Sequence, residues 1–348
     1  MKKILVVLMS VIIVLTFSVN IFANEEDKGE YIFNDQYGFS VYEYVDSDNR
    51  TVRTYSKKDN KDVRDNSTYA INVISNDDYQ ATKQLLLTLG MEESDIMQLS
   101  QASLEKYSVA QNVVSVTSYT KSDVDGNVVY VSEEEAIEKT NEILAIQSNP
   151  NTNETATETS EDSYMKISLF TTYLGNGNYY FSADAKWLTM PNNRSTDSFG
   201  ICLNGHTINL SSCFAWIEYD KIPYSVLGSK IIHQSEGLLS SSYSYPTSGN
   251  WRGFAAAFDL KNDWFMGDSF TNYEAHIEFD TVVEYPEQSL NFNVVATYHH
   301  SEKTVNIDGV SIGIDTSGSI GGSIGIVMDN KYTRRYAYSS SPYYYDAN

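Results

Sequence analysis

Two tryptophans, Trp251 and Trp264, stand beside turn-forming clusters, Ser248-Gly249-Asn250 and Lys261-Asn262-Asp263. Indole rings left at the surface of a β-domain stack on sugar rings or anchor a protein partner, so these two are the candidate ligand-binding residues. Trp187 and Trp216 fall in alternating, strand-like segments and are expected in the core. Groups for covalent chemistry are harder to find. No Gly-x-Ser-x-Gly elbow, phosphate loop or dinucleotide fingerprint occurs, and neither cysteine lies in a cysteine-protease signature. No catalytic or cofactor-binding residue is assigned, and a non-enzymatic role is expected. A hydrolase would need a site gathered only by the fold, from His206, His233 or His276 with an acidic residue and a serine.

His299 and His300 are adjacent, so on a strand they point to opposite faces and make a poor pair of metal ligands. Asp259, Asp263 and Asp268 lack the spacing of an EF-hand loop. They leave room only for a structural calcium held by loop carboxylates, and no metal ligand is assigned. Glu278, Asp280 and Glu284 share one face of a strand and read as a solvated face. Cys202 and Cys213 are an even pair in a chain with an export-type start, and a disulfide between them is expected.

The sharpest pattern runs from Val310 to Met328. Apolar residues occupy positions 310, 312, 314, 320, 324, 326 and 328, while Ser or Gly fill most odd positions. Such a two-faced hairpin serves as the edge of a sandwich or as a pore-forming segment. A membrane strand needs about 9–11 residues. The first arm alternates only from Val310 to Ile314, between Asp308-Gly309 and Asp315, so an ordinary hairpin is the expectation.

The elements that would position these residues fall into two regions. Residues 147–163 are Ser-, Thr-, Asn- and Glu-rich and read as a flexible acidic linker. Before them, residues 24–146 are expected to form a mixed α+β N-terminal domain. Asn76-Asp77-Asp78 starts a helix carrying Ala81, Leu85, Leu86 and Leu89, and Gly90 stops it. Shorter helices follow, one opening after Ser100, and Ser132-Glu-Glu-Glu135 is a capping box for another. After the linker, residues 164–348 alternate with period two between turn signals, as at Gly175-Asn176-Gly177. That region is expected to be an all-β C-terminal domain, an antiparallel β-sandwich or jelly roll.

Met1-Lys2-Lys3 and the apolar run from Ile4 to Phe22 read as a signal peptide, residues 1–23, cleaved near Ala23. An uncleaved anchor is the alternative. A net charge of -22 excludes nucleic acid and anionic lipid surfaces as partners, since both are bound by clustered Lys and Arg. The resulting expectation is a secreted, acidic, aromatic-rich two-domain protein. Its role is expected to be a non-catalytic binding module for an extracellular or envelope carbohydrate or protein. The alternatives are a secreted pore-forming or bacteriocin-like toxin using the 310–328 hairpin, the one reading with a membrane partner, and the extracellular hydrolase.

Overall fold

Period-two alternation dominates the later part of the sequence, and antiparallel strands dominate the fold. The computed structural model describes residues 30–34, 39–46, 48–57, 75–122, 128–147, 163–191, 194, 196–223, 231–261, 268–282, 290–301, 311–315, 323–327, 333–339 and 343–345. The proposed signal segment lies outside them.

Three strands open the described chain: β1 (Glu30–Asn34), β2 (Phe39–Val45) and β3 (Thr51–Lys57). Helix α1 (Asn76–Thr88) is capped by Ser75, whose hydroxyl accepts from the Asp78 N–H, and it ends at Gly90, where φ is +93°. α2 (Glu93–Gln98) follows, then α3 (Gln101–Ser108), whose Ser100 cap accepts from the Ser103 N–H at 3.0 Å. The hairpin β4 (Asn112–Ser122) and β5 (Val128–Val131) leads into α4 (Glu133–Gln147). After residue 162, β6 (Ser163–Gly175) and β7 (Asn178–Trp187) form a hairpin. Its turn holds Gly175, Asn176 and Gly177 at φ of 94°, 54° and 75°, a left-handed run that Gly and Asn tolerate. Then come β8 (Thr196–Asn204), β9 (Thr207–Ile208), β10 (Phe214–Ile222), β11 (Ile232–Gly237), β12 (Tyr243–Ser244), β13 (Thr247–Ser248), β14 (Trp251–Asp259) and β15 (Ser269–Val282). The last strands are β16 (Leu290–Phe292), β17 (Val294–Ser301), β18 (Ser311–Asp315), β19 (Ser323–Val327), β20 (Thr333–Ser339) and β21 (Tyr343–Tyr345).

The larger, 11-stranded sheet runs in the order β1-β2-β3-β4-β6-β7-β15-β10-β11, with β5 on β4 and β9 on β15. The expected seam between two domains does not divide it. β4 and β6, on opposite sides of the linker, pair along their whole length from Asn112↔Tyr173 to Ser122↔Ser163. Residues before and after 148–162 thus share one backbone ladder, and Ser163, expected in the linker, is its last paired residue.

A second, 6-stranded sheet has the order β12-β14-β8-β17-β20, with β13 on β14. It packs face to face on the larger sheet. Leu169, Phe181, Ile277 and Phe279 from one meet Phe199, Ile201, Phe254 and Tyr298 from the other in a single buried core. The opposite face of the larger sheet is covered by helices. Leu85, Leu86 and Leu89 of α1, Ile96 of α2 and Tyr107 of α3 close over Val113, Phe170 and Tyr180. Three layers result, helix on sheet on sheet, and the β18–β19 hairpin lies over part of the remaining face.

Candidate functional site

β17 and β20 are direct neighbours in the second sheet, paired from Val295↔Ser339 to Ser301↔Thr333. Between them in sequence stand two further described strands, β18 and β19, which are not part of that sheet. They pair with each other from Ser311↔Val327 to Asp315↔Ser323 and with no other described strand. The register sets Ile312 opposite Ile326, Gly313 opposite Gly325 and Ile314 opposite Ile324. β18 rests on β13 and β14, and β19 on β8 and β17.

The sheet face under the hairpin is made of small side chains. Gly200 and Cys202 of β8, Gly253 and Ala255 of β14, and Val295 and Thr297 of β17 are all buried. Trp251 belongs to this face. It is 9% exposed and clusters with Cys202, Ala255 and Val295, so the expected open stacking platform is not formed there. The Ser248-Gly249-Asn250 turn is tight enough to make Trp251 the first residue of β14, on the covered side. Trp264 lies outside the described residues.

The expected disulfide is corrected as well: Cys202 and Cys213 are thiols. Cys202, in β8, clusters with Trp251, Ala255 and Val295, whereas Cys213, in the turn before β10, packs at the margin of the inter-sheet core, so the two thiols lie in different clusters. Burial pushes the Cys213 thiol up to about 12, with Asp280 adding to it.

The helix-covered face of the larger sheet carries a band of charge. Glu278, expected on a solvated face, is 7% exposed and lies beneath α3. It accepts from Ser103 Oγ at 3.0 Å and from the Tyr180 hydroxyl at 2.6 Å, and burial raises its carboxyl despite these donors. Lys106 pairs with Asp280 at 2.9 Å, and Tyr107 shares a hydrogen bond with Ser182 at 2.6 Å. Glu284 lies outside the described residues. Beside this docking line, Glu92 joins Lys166 at 3.0 Å and also Lys186. Burial pushes the Glu92 carboxyl up, but the two lysines outweigh it and hold it at about 2. Asp95 sits next to them. Burial, then Glu274 and Asp184, lift it to about 7, with His276 offsetting part.

His276 is fully buried, its Nδ1 2.6 Å from Asp184 Oδ1 and its ring stacked on Trp216 at 4.6 Å. Burial alone would lower it; Asp184, Glu274 and Glu218 override that and raise it to about 9. His233 and His276 both approach Glu218, at 3.3 and 4.0 Å, while His206 packs apart against Tyr179. His276 Nε2 has no hydrogen-bond partner among the described residues, so no described serine completes a triad with Asp184 and His276. His300 turns into the core, 2.9 Å from Asp197, which also accepts from the Tyr298 hydroxyl at 2.5 Å. Asp259 accepts from Thr196 and Asp268 pairs with Lys221, so the calcium candidates have separate partners; Asp263 lies outside the described residues.

The charged band is not identified by the sequence reading. Its signal was the matched charge at alternate positions of successive strands: Lys166, then Asp184 and Lys186, then Glu274 and His276. Their partners from α2 are distant in sequence.

The fold and these features define a mostly antiparallel β protein with a helical cover and a self-paired arm inserted between neighbouring strands. No protein-family model matches the chain, and no curated protein matches it. Among the described residues no helix is long and apolar enough to cross a membrane, which leaves crossing by strands unaddressed.

Proposed function

We propose that this is an exported, membrane-inserting protein and that residues 302–332 are its inserting arm. The observation that carries the reading is topological. β17 and β20 already complete their ladder, so the β18–β19 hairpin can leave the sheet face without breaking a strand pairing outside itself. Its departure uncovers mainly one indole and several small residues, a cost on the order of a few kcal/mol. Insertion of the isoleucine side offsets a loss of that size.

The sequence of the arm supports the same reading. Residues 320–328 keep apolar side chains in phase, near the lower end of the about 9–11 residues a membrane strand needs. In the first arm, Val310, Ile312 and Ile314 are apolar at alternate positions. The opposite side, with Ser311, Gly313, Ser323 and Gly325, suits a water-filled lumen. A two-stranded hairpin leaves open edges that a bilayer does not tolerate, so several copies must contribute arms to one closed barrel.

Release of a trapped dye from neutral and anionic liposomes tests this. The wild-type protein is expected to cause leakage. Ile324→Lys is expected to abolish it, because a cation at mid-bilayer on the lipid side costs about 2–4 kcal/mol per strand, while Ser323→Lys on the lumen side retains it. No leakage at any lipid composition, or an Ile324→Lys protein that leaks like wild type, would sink the proposal.

A further inference from the structure

A polar cleft of about 300 Å³ opens on the helix side of the larger sheet, between the end of α1 and the start of α4. Its floor is Thr117, Tyr119 and Lys166; Glu43, Arg53 and Glu133 line it as well. We propose that this cleft binds an uncharged, hydroxyl-rich ligand, a neutral sugar. This inference is independent of membrane insertion and would supply a means of target recognition.

Charge balance selects the ligand class. Two cations, Arg53 and Lys166, and two carboxylates, Glu43 and Glu133, line the cleft. The cations are already engaged: Arg53 Nε lies 2.5 Å from Glu43 Oε2, and Lys166 Nζ 3.0 Å from Glu92 Oε1. A phosphate or an amine would have to compete with these pairs, at the cost of stripping a partner from a half-buried charge. A neutral polyol needs no such exchange.

The cleft also offers unused hydrogen-bonding capacity of both kinds. Arg53 is held by Nε, and its terminal nitrogens have no hydrogen-bond partner among the described residues. Glu43 Oε1 is not used in the Arg53 pair. Tyr119 donates to Glu133 Oε1 at 2.9 Å, leaving Oε2 as an acceptor. Donors and acceptors set side by side, with the fork of a fixed arginine among them, match vicinal hydroxyls. Leu87, Met91 and the Tyr119 ring add apolar surface for the C–H face of a sugar. Gly90, at φ +93°, leaves room for the fork: a Cβ there would overlap Arg53 Nη1.

The test is saturation-transfer NMR and calorimetry on the full chain in the absence of lipid. The probes are methyl glycosides of glucose, galactose, mannose and N-acetylglucosamine, with inorganic phosphate and spermidine as charged comparators. At least one neutral glycoside is expected to bind, and Arg53→Met and Glu133→Gln to weaken it at least tenfold while circular dichroism and Tm show a folded protein. If a variant fails to fold, Glu43→Gln, which keeps the carboxylate's shape, is read in its place. Absence of binding by all four glycosides overturns the proposal, as does binding unaffected by these changes or a preference for phosphate or spermidine. Because no membrane is present, failure here leaves the leakage result standing on its own.

Discussion

Replacing Asp95 with Asn should stabilise the protein, and by an amount that depends on pH. Asp95 is buried in α2, where its carboxylate accepts from the Glu92 N–H at 3.3 Å and from Ser94 Oγ at 2.9 Å. Asn retains an acceptor for the Glu92 N–H. Burial first, then Glu274 and Asp184, raise the Asp95 carboxyl from 3.8 to about 7. Between those values the unfolded chain releases a proton that the folded chain keeps, so stability falls as pH rises through this window. The slope is about 1.4 kcal/mol per pH unit, giving a ceiling of roughly 4 kcal/mol above pH 7. Asn does not ionise and escapes that loss. The Asp95→Asn protein is therefore expected to match wild type within about 1 kcal/mol at pH 4 and to exceed it by about 2–4 kcal/mol at pH 8.

His276 acts in the same direction but separately. Its folded value of about 9 lies above its ordinary 6.5, so its contribution is complete below 6.5 and is lost as pH rises through 9. Present in both proteins, it largely cancels in the difference. Urea unfolding followed by tryptophan fluorescence at pH 4, 6 and 8 measures the gap. A variant less stable than wild type at pH 8, or a gap that does not change with pH, would refute the reasoning.

Three further outcomes are expected. Tyr180→Phe removes the 2.6 Å donor to buried Glu278 and should cost about 1.5–3 kcal/mol in urea unfolding, a loss that largely disappears when Glu278→Gln is already present. Asp197→Ala strips the acceptor from both Tyr298 and His300 and should cost about 3–5 kcal/mol, seen as a clear fall in the unfolding midpoint. In a Cys213→Ser protein, Cys202 should react slowly with a maleimide in solution and many times faster once liposomes draw the arm away, followed by mass spectrometry; equal rates would count against release of the hairpin.

Local signals in the sequence were read well where a single residue type decides the backbone. The helix expected to start at Asn76-Asp77-Asp78 does so, with Ser75 as its cap; Gly90 ends it and Ser100 opens another as expected, and Gly175-Asn176-Gly177 turns its hairpin. Alternation also identified antiparallel strands, among them the paired Ser311–Asp315 and Ser323–Val327. What alternation cannot convey is what lies on the second face. Glu278 and Asp280 looked solvated because their strand was considered without α3, a helix more than a hundred residues earlier. Trp251 looked exposed because a turn precedes it, yet the hairpin covering its face comes from later in the chain. Cys202 and Cys213 are close in sequence, but Cys202 lies within β8 and Cys213 in the turn before β10, a strand of the other sheet. The cleft residues Glu43, Arg53, Glu133 and Lys166 come from four separate elements, and no motif spacing connects them.

The ladder between β4 and β6 carries a consequence for how the chain can be handled. Its register spans the polar segment 148–162, so a protease cut there severs one covalent connection and leaves every β4–β6 hydrogen bond and the Ser103–Glu278 contact in place. The two pieces should stay together through gel filtration and separate only in denaturant. The same position is a natural place to express the molecule as two complementing fragments, or to move its termini by permutation, with assembly of the shared sheet as the readout.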